Sequence, residues 1–237
     1  STIENLCSRQ IEFKIFSDSA PILERELACR AGLGWIGRNT CLINPSRGSA
    51  FLLAEIFLDL PLSPDKPFDA DRCGSCNLCV ESCPTRAILP DRTIDSNRCL
   101  SYHTIESKND IPNEIAEKLP PWLFGCDICQ MVCPWNRQSA LNDTAISFSG
   151  SELIGLLHLT PDEFSDHYAH SSIRRAKYFG FMRNLLINVA SFDNNTSLPV
   201  LEEFININSD ERLRNLALFL LEKIKKRTST LMEVLDD

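Results

Sequence analysis

Cysteine is the residue whose spacing points most directly to chemistry in this chain. Eight of the eleven cysteines lie in or between two Cys-x-x-Cys blocks. The first block is Cys73-x-x-Cys76-x-x-Cys79-x-x-x-Cys83-Pro84, the second is Cys126-x-x-Cys129-x-x-x-Cys133-Pro134, and Cys99 stands between them. Each iron of a 4Fe–4S cluster binds a soft thiolate, and the first block matches the bacterial ferredoxin run. The pattern predicts two 4Fe–4S clusters and a role in electron transfer.

The spacing also predicts which cysteines share a cluster. Three thiolates two residues apart can bind one cluster from a single loop, and the fourth thiolate of such a run reaches the other cluster. The first cluster is therefore predicted to bind Cys73, Cys76, Cys79 and Cys133. The second cluster is predicted to bind Cys83, Cys99, Cys126 and Cys129. Cys99 is included because no cysteine lies just before Cys126, where an ordinary two-cluster ferredoxin carries its fourth ligand.

Zinc is the main alternative for these cysteines, because two Cys-x-x-Cys pairs can form a closed zinc site. Eight cysteines in two crossed blocks exceed what a single zinc ion needs. Cys7, Cys29 and Cys41 lie outside both blocks and are predicted to be small buried core residues. An odd total of eleven excludes complete disulfide pairing, and reduced thiolates favour a cytoplasmic protein.

Composition narrows the remaining possibilities. The chain has 237 residues, a formal net charge of −8 and 43% hydrophobic residues, which is ordinary for a globular protein with a real core. The acidic balance argues against broad, charge-driven nucleic-acid binding, although a local basic face remains possible. The sequence lacks an apolar run near the roughly 18 residues that span a bilayer, so no membrane association is expected.

The helices and strands that the sequence pattern predicts around the cysteines indicate an α+β protein with three segments. Residues 1–62 suggest part of an α/β domain, with a helix over 19–30, a strand over 40–44 and a buried strand over 50–58. Residues 63–140 form the ferredoxin-like module, with short helices after each cysteine motif. Residues 141–237 are helical, with helices over 172–191 and 198–207, a last helix capped by Ser209, and a weak likeness to HEAT repeats.

Beyond the cysteines, the order of several motifs resembles the epoxyqueuosine reductases. These motifs are Asp18-Ser19-Ala20-Pro21-Ile22-Leu23-Glu24-Arg25, Gly32-Leu33-Gly34-Trp35-Ile36-Gly37, Cys99-Leu100-Ser101-Tyr102-His103-Thr104-Ile105-Glu106, Gly125-Cys126-Asp127-Ile128-Cys129-Gln130-Met131-Val132-Cys133-Pro134-Trp135-Asn136 and Ser172-Ile173-Arg174-Arg175. The resemblance implies an oxidoreductase that completes queuosine synthesis in tRNA. In that reaction, cobalamin reduced through the clusters removes the epoxide of epoxyqueuosine at the wobble position of the anticodon.

The resemblance also implies roles for individual residues. Asp18 is expected to donate the proton to the epoxide oxygen and to contact cobalamin, and a carboxyl group with a raised pKa suits that task. Ser101, Asp127 and Ile128 are expected to line the cobalamin. Without the resemblance, Asp18 would be taken for a turn or helix-cap residue, Ser101 for a turn hydroxyl and Asp127 for a solvated carboxylate.

The implied partners are tRNA and an external electron donor of the flavodoxin or ferredoxin type, acting with a monomer. Four basic residues of the helical tail are predicted to contact tRNA phosphates: Arg174, Arg175, Lys177 and Arg183. A solvated helix face explains them equally well on sequence alone. The resemblance further predicts that an N-terminal stretch of the cobalamin-binding domain precedes Ser1.

Two other functions remain open at this point. A cobalamin-dependent reductive dehalogenase would share the cofactors and the general organisation, but the basic helical tail favours the tRNA enzyme. A non-catalytic electron-transfer module would carry the clusters without binding a corrin.

Overall fold

The computed structural model describes residues 9–18, 20–119, 122–137 and 148–235. Its residues pack into two compact units, each described here by itself. The first unit comprises Ser1–Ile94 and Ile128–Ala145, and the second comprises Asp95–Asp127 and Ile146–Asp237. These units group residues by packing rather than by function, so the predicted division into three segments at residues 62 and 140 stays a prediction.

The first unit contains two short antiparallel strand pairs and one helix beside them. Strand β1 (Phe13–Phe16) pairs with β4 (Glu55–Leu58), and β2 (Trp35–Ile36) pairs with β3 (Leu42–Ile43). The predicted strand over 50–58 therefore begins late, at Glu55. The expectation that it is buried was wrong, because Leu52 is 95% exposed and Ile56 is 60% exposed. Apolar composition alone indicated burial, but burial also requires other residues packed against the strand.

Helix α1 (Glu24–Arg30) of the first unit begins later than residue 19, where the sequence placed it. Leu23, the residue before the helix, has φ −81° and ψ 64°, which lie outside the helical region, so the helix begins only at Glu24. Asp18, just before the predicted start, has a left-handed backbone with φ 51°, and Ser19 lies outside the described residues. Glu24 and Glu26 occupy the first turn and Arg30 the last, a distribution that complements the helix dipole. The helix ends just before Gly32, whose φ of +76° favours glycine.

Short helices lie within the cysteine motifs. Helix α2 (Leu78–Glu81) contains Cys79, and helix α5 (Ile128–Met131) contains Cys129 and packs against α2. The prediction placed these helices after the motifs. Each helix instead begins one residue before a predicted ligand, so a ligand lies in its first turn.

The second unit is helical. Its elements are a 3₁₀ turn (Ser96–Arg98), α3 (Leu100–Ile105), α4 (Asn113–Ala116), α6 (Gly150–Leu156), α7 (Pro161–His167), a 3₁₀ turn (Ser172–Ala176), α8 (Lys177–Val189), α9 (Asn194–Ile207) and α10 (Glu211–Leu235). The predicted capping box at Thr160 is confirmed: its hydroxyl accepts from the Glu163 N–H while Glu163 bonds back. The predicted helix over 172–191 is divided, because Lys177 has φ 58°. Asp210, rather than Ser209, caps the last helix.

Helix α8 forms the centre of the second unit's core. Phe181, Met182, Leu185, Leu186 and Val189 are each at most 1% exposed and pack against α6, α7, α9 and α10. A helix that is apolar on nearly every side is expected to lie inside a domain. The mixed, mainly helical character with few strands agrees with the predicted α+β class. In the described parts of the chain, no helix is long and apolar enough to span a membrane.

Candidate functional site

Four predicted cluster ligands of the first unit surround one cavity. Cys73, Cys76, Cys79 and Cys133 all line a cavity of about 280 Å³. They come from two distant parts of the chain, and the structure brings them to the same cavity. Their joint ligation of a cluster stays a prediction. Among the described Cys, His, Asp and Glu side chains, no three converge on the position of a single ion. The four thiols therefore surround a cavity and do not form the ligand set of a single ion.

Two side chains hold the loop that carries Cys73. The Asp71 carboxylate accepts a hydrogen bond from the Cys73 N–H at 3.0 Å and also pairs with the Arg92 guanidinium. The hydrogen bond from Arg92 is the main reason why the pKa of Asp71 lies below its usual value. The ionised carboxylate therefore fixes the start of the cysteine loop at neutral pH.

Asn136 holds the segment that follows Cys133. Its side-chain oxygen accepts from the Ser49 N–H at 2.6 Å, and its amide donates to the Ser49 hydroxyl and the Gln130 carbonyl. Gly48 makes this approach possible, because a Cβ there would lie 2.0 Å from the Asn136 side-chain oxygen. These contacts place Cys133 opposite the first cysteine block.

The thiols around this cavity interact electrostatically. Burial raises the pKa of Cys79, and repulsion from the neighbouring Cys73 and Cys133 sulfurs raises it further. Burial likewise raises the pKa of Cys133, with added repulsion from Cys73 and Cys76. A cationic iron group would offset the repulsion that develops as these thiols lose their protons, so the site suits such a group.

The four predicted ligands of the second cluster are divided between the units. Cys83 and Cys129 belong to the first unit, and Cys99 and Cys126 to the second. Burial raises the pKa of the Cys83 thiol, but hydrogen bonds from the Ala87 N–H and Thr85 outweigh it, so the pKa falls below its usual value. Cys126 packs beside Leu100 and Ile115. Their joint ligation stays a prediction.

Asp18 lines a much larger cavity of the first unit. This cavity measures about 1020 Å³, at the upper limit of the roughly 300–1,000 Å³ typical of ligand pockets. Apolar side chains on its wall include Ile22, Leu23, Phe51, Leu52 and Leu53. Gln130, directly after Cys129, lines the same cavity. The predicted acid and the second cysteine block therefore border one space.

Glu24 fixes the backbone of Asp18. The Asp18 N–H donates to Oε1 of Glu24 at 2.5 Å, and Glu24 also interacts with the Glu55 carboxyl group. Burial raises the pKa of Glu55, and the charge of Glu24 and a hydrogen bond with its carboxyl group raise it further. Glu24 is the member of this acidic pair that holds the left-handed turn at Asp18.

The other residues predicted to contact cobalamin lie on two elements. Ile128 is half-buried at the start of α5 in the first unit. Ser101 is half-buried on α3 and Asp127 is exposed, both in the second unit. Their roles toward cobalamin stay predictions.

Of the four predicted tRNA contacts, Arg174, Arg175 and Lys177 are exposed at the junction of the 3₁₀ turn and α8. Arg175 pairs with Glu106 at 2.6 Å. Arg183 must be reassigned from this set, because it is 1% exposed and donates to the carbonyls of His103, Ser107 and Asn109. Its charge predicted a surface position, but these distant carbonyls provide interior partners.

Arg183 and its neighbours on α8 anchor the segment that contains Cys99 and Cys126. Asn184, which is fully buried, donates to the carbonyls of Thr104 and Leu123 at 2.9 Å each. Asn188 donates to the Trp122 carbonyl at 3.3 Å. This anchoring role was not predicted from the sequence. Three polar residues close together on an otherwise apolar helix were the feature that could have indicated it.

Several residues around the cysteines were not predicted as site residues, among them Trp35, Arg38, Asn136 and Gln130. The Trp35 indole N–H lies 3.4 Å from the Cys73 sulfur, and Arg38 lines the cavity of the four thiols. The residues next to Trp35 and Arg38 in the sequence give no local indication that these two side chains face the cysteines.

Comparisons with known proteins agree with this site. Residues 72–136 match the family described as a 4Fe-4S double cluster binding domain. The epoxyqueuosine reductase of Cyclobacterium marinum is 46% identical over 178 residues, which cover 74% of this chain and 57% of that protein. The chain thus spans little more than half the length of the curated relatives it matches.

Solved structures show the same likeness. The epoxyqueuosine reductase from Streptococcus thermophilus matches with a TM-score of 0.82 and 31% identity, covering 95% of this chain and 60% of that one. An epoxyqueuosine reductase with an epoxyqueuosine-modified tRNA-Tyr stem loop matches with a TM-score of 0.74 and 26% identity, covering 94% of this chain and 69% of that one. Sequence and fold both relate the chain to this group of enzymes.

Proposed function

We propose that this chain, which is similar to epoxyqueuosine reductases over more than half of their length, reduces epoxyqueuosine to queuosine in tRNA. In this reaction both carbon–oxygen bonds of the epoxide break and a carbon–carbon double bond forms. Two electrons and two protons are consumed, and the oxygen leaves as water. The observation that carries the proposal is the convergence of Cys73, Cys76, Cys79 and Cys133 on one cavity, because such a site supplies electrons one at a time.

The residues around this cavity fit a 4Fe–4S cluster. Four thiols provide one ligand for each iron, and the remaining lining is largely apolar, including Ile43, Leu78 and Trp135. Arg38 also lines the cavity. Its Nε atom is shielded from solvent and lacks a hydrogen-bond partner among the described residues. An acceptor in the cavity would satisfy it. Cys83, Cys99, Cys126 and Cys129 are proposed to hold the second cluster.

The lining of the large cavity beside Asp18 suits cobalamin. Its apolar wall suits the face of a corrin ring, and Leu23 at 76% and Leu52 at 95% exposure are apolar surfaces that such a ring would cover. Cobalamin, when bound, supplies a strongly reducing and nucleophilic metal centre. Ser101, Asp127 and Ile128 are proposed to contact it.

Asp18 is proposed to deliver a proton to the epoxide oxygen. An alkoxide is a poor leaving group, so a carboxyl group at hydrogen-bond distance accelerates its departure. Glu24 holds the Asp18 backbone, and the side chain borders the cavity. The turn therefore orients the acid without occupying the cavity itself.

The exposed Arg174, Arg175 and Lys177 are proposed to bind tRNA phosphates. Their exposure and spacing on one short stretch of the second unit support this role. The proposed electron donor is a flavodoxin or a ferredoxin. A cytoplasmic monomer and HEAT-like packing of the helical tail are part of the same proposal.

The decisive experiment uses the full-length protein reconstituted anaerobically with iron, sulfide and cobalamin. Reduced protein is incubated with tRNA that carries epoxyqueuosine, and the nucleosides are analysed by mass spectrometry. Queuosine should form with wild-type protein and fail to form with Cys133→Ser. Bound clusters and cobalamin without queuosine would overturn the proposed reaction, and clusters without corrin binding would favour the electron-transfer module.

A further inference from the structure

Arg38 holds the cysteine loop by a hydrogen bond and also lines the cavity of the four thiols. It follows β2 and donates through Nη2 to the Gly74 carbonyl at 2.9 Å, within the Cys73–Cys76 loop. The Nε atom is shielded from solvent and has no hydrogen-bond partner in the described ranges. A buried donor without an acceptor costs about 1–3 kcal/mol, so a native site is expected to supply one.

Trp35 presents a second donor to the same site. Its indole N–H lies 3.4 Å from the Cys73 sulfur. The ring is 3% exposed and fixed by the Trp135 ring, with centroids 4.9 Å apart, and by the Phe68 ring at 5.6 Å. The N–H direction is therefore set by packing rather than by the hydrogen bond alone.

We propose that Arg38 and Trp35 raise the reduction potential of the cluster held by Cys73, Cys76, Cys79 and Cys133. The inference rests on the proposed cluster at this site. Reduction adds one electron from the external flavodoxin or ferredoxin donor, with no bond broken and no proton transferred. Added negative charge strengthens hydrogen bonds to the sulfurs and the attraction of a nearby guanidinium, so both residues stabilise the reduced form more than the oxidised form.

Arg72 provides a matched comparison. It lines the same cavity and carries the same charge, but it is exposed and lies over the Phe68 ring at 5.5 Å. Solvent and salt screen an exposed charge far more than one at the cavity wall. Arg72→Gln should therefore shift the potential less than Arg38→Gln does.

The test is a redox titration of the full-length protein, reconstituted anaerobically and followed by electron paramagnetic resonance. Cys133→Ser identifies the signal of this cluster. Arg38→Gln and Trp35→Phe should each lower its midpoint potential, with iron and sulfide contents equal to wild type. Arg38→Lys, which keeps the charge and loses the Nε donor, should give a smaller decrease. Equal shifts in Arg38→Gln and Arg72→Gln would attribute the effect to net charge and overturn the hydrogen-bond role.

Iron and sulfide contents separate the two possible failures. Wild-type protein that binds no cluster here overturns the proposed function and this inference together. A loaded cluster whose potential is unchanged in both Arg38→Lys and Trp35→Phe overturns the inference alone. These two conservative variants decide the matter if Arg38→Gln fails to load iron.

Discussion

The backbone N–H of Asp18 and the carboxylate of Glu24 are joined by a hydrogen bond of 2.5 Å. This bond crosses a turn in which Asp18 adopts φ 51°, an uncommon conformation for a residue other than glycine. Glu24 thus stabilises the one backbone geometry that directs the proposed acid toward the large cavity. The turn thus combines a strained backbone at Asp18 with a charged partner at Glu24, and both residues line the cavity.

Replacing Glu24 should impair turnover without removing either cofactor. A hydrogen bond to a charged group is worth about 1.5–3 kcal/mol, so Glu24→Ala should slow turnover by about tenfold to a hundredfold. Glu24→Gln keeps an acceptor and should have a smaller effect. Rates of queuosine formation measure this, with the exposed Glu12→Gln as a control that should match wild type. Wild-type rates in Glu24→Ala would remove the residue from any role in positioning Asp18.

Asp18→Asn should abolish proton donation while preserving the turn. Asparagine tolerates the left-handed conformation better than alanine, so the substitution isolates the carboxyl group. Turnover should fall by about 10²–10⁴-fold, the usual contribution of general acid catalysis. Cobalamin binding, followed by its visible spectrum, should persist. If Asp18→Asn turned over at the wild-type rate with cobalamin bound, another group would have to be the acid.

Cys133→Ser should lose one cluster and keep the other. It removes the thiol that comes from the second block to the first cavity, so iron and sulfide contents should fall to those of a single cluster. Cys29→Ser is the matched control, because the Cys29 thiol lies 3.6 Å from the Phe68 carbonyl and outside both blocks. Equal iron in the two variants would contradict the predicted assignment of Cys133.

Arg183→Met should destabilise the second unit strongly. The variant leaves the carbonyls of His103, Ser107 and Asn109 buried without their donor, at a cost of about 3 kcal/mol or more. Burial lowers the pKa of Arg183 to about 10, which still leaves it charged at neutral pH. Denaturant unfolding measures the loss, and exposed Arg214→Met should stay within about 0.5 kcal/mol of wild type. Comparable stabilities would show that the interior bonds are energetically unimportant.

Substitutions of Arg175 and of its ion-pair partner Glu106 should change tRNA affinity in opposite directions. Arg175→Ala should weaken binding and reduce the dependence of log K on log salt by roughly 0.7–0.9, the value for one phosphate contact. Glu106→Gln releases Arg175 from its ion pair and should tighten binding at low salt. Filter binding across a salt series measures both. An unchanged slope in Arg175→Ala would exclude that residue from the phosphate contacts.

The spacing of Cys73, Cys76 and Cys79 predicts that they share a site, and these residues line one cavity in the structure. Cys133 lines the same cavity but lies far away in sequence, so it was added by the crossed ligand rule of ferredoxins and not by local geometry. Cluster ligation by these four residues stays a prediction. The Thr160 capping box depends on residues three positions apart, where backbone geometry leaves few alternatives, and it is confirmed.

Long-range features were predicted poorly. Arg183 was assigned to the surface because arginine is seldom fully buried, and the carbonyls that accept its hydrogen bonds lie far away in sequence. The start of α1 depended on the non-helical backbone of Leu23, for which the sequence carries no distinct local signal. The apolar residues 50–58 predicted a buried strand, but burial depends on what covers a surface and not on composition.

Cys133 has a consequence for the order in which the protein is made. Cys73, Cys76 and Cys79 emerge from the ribosome close together, whereas Cys133 emerges only after Asp95–Asp127, the first of the two segments that pack into the second unit. Until then the first site holds three thiols and an open corner, a state prone to oxidation or to capture of the wrong metal. Delivery of iron and sulfide is therefore expected to wait until Cys133 has emerged.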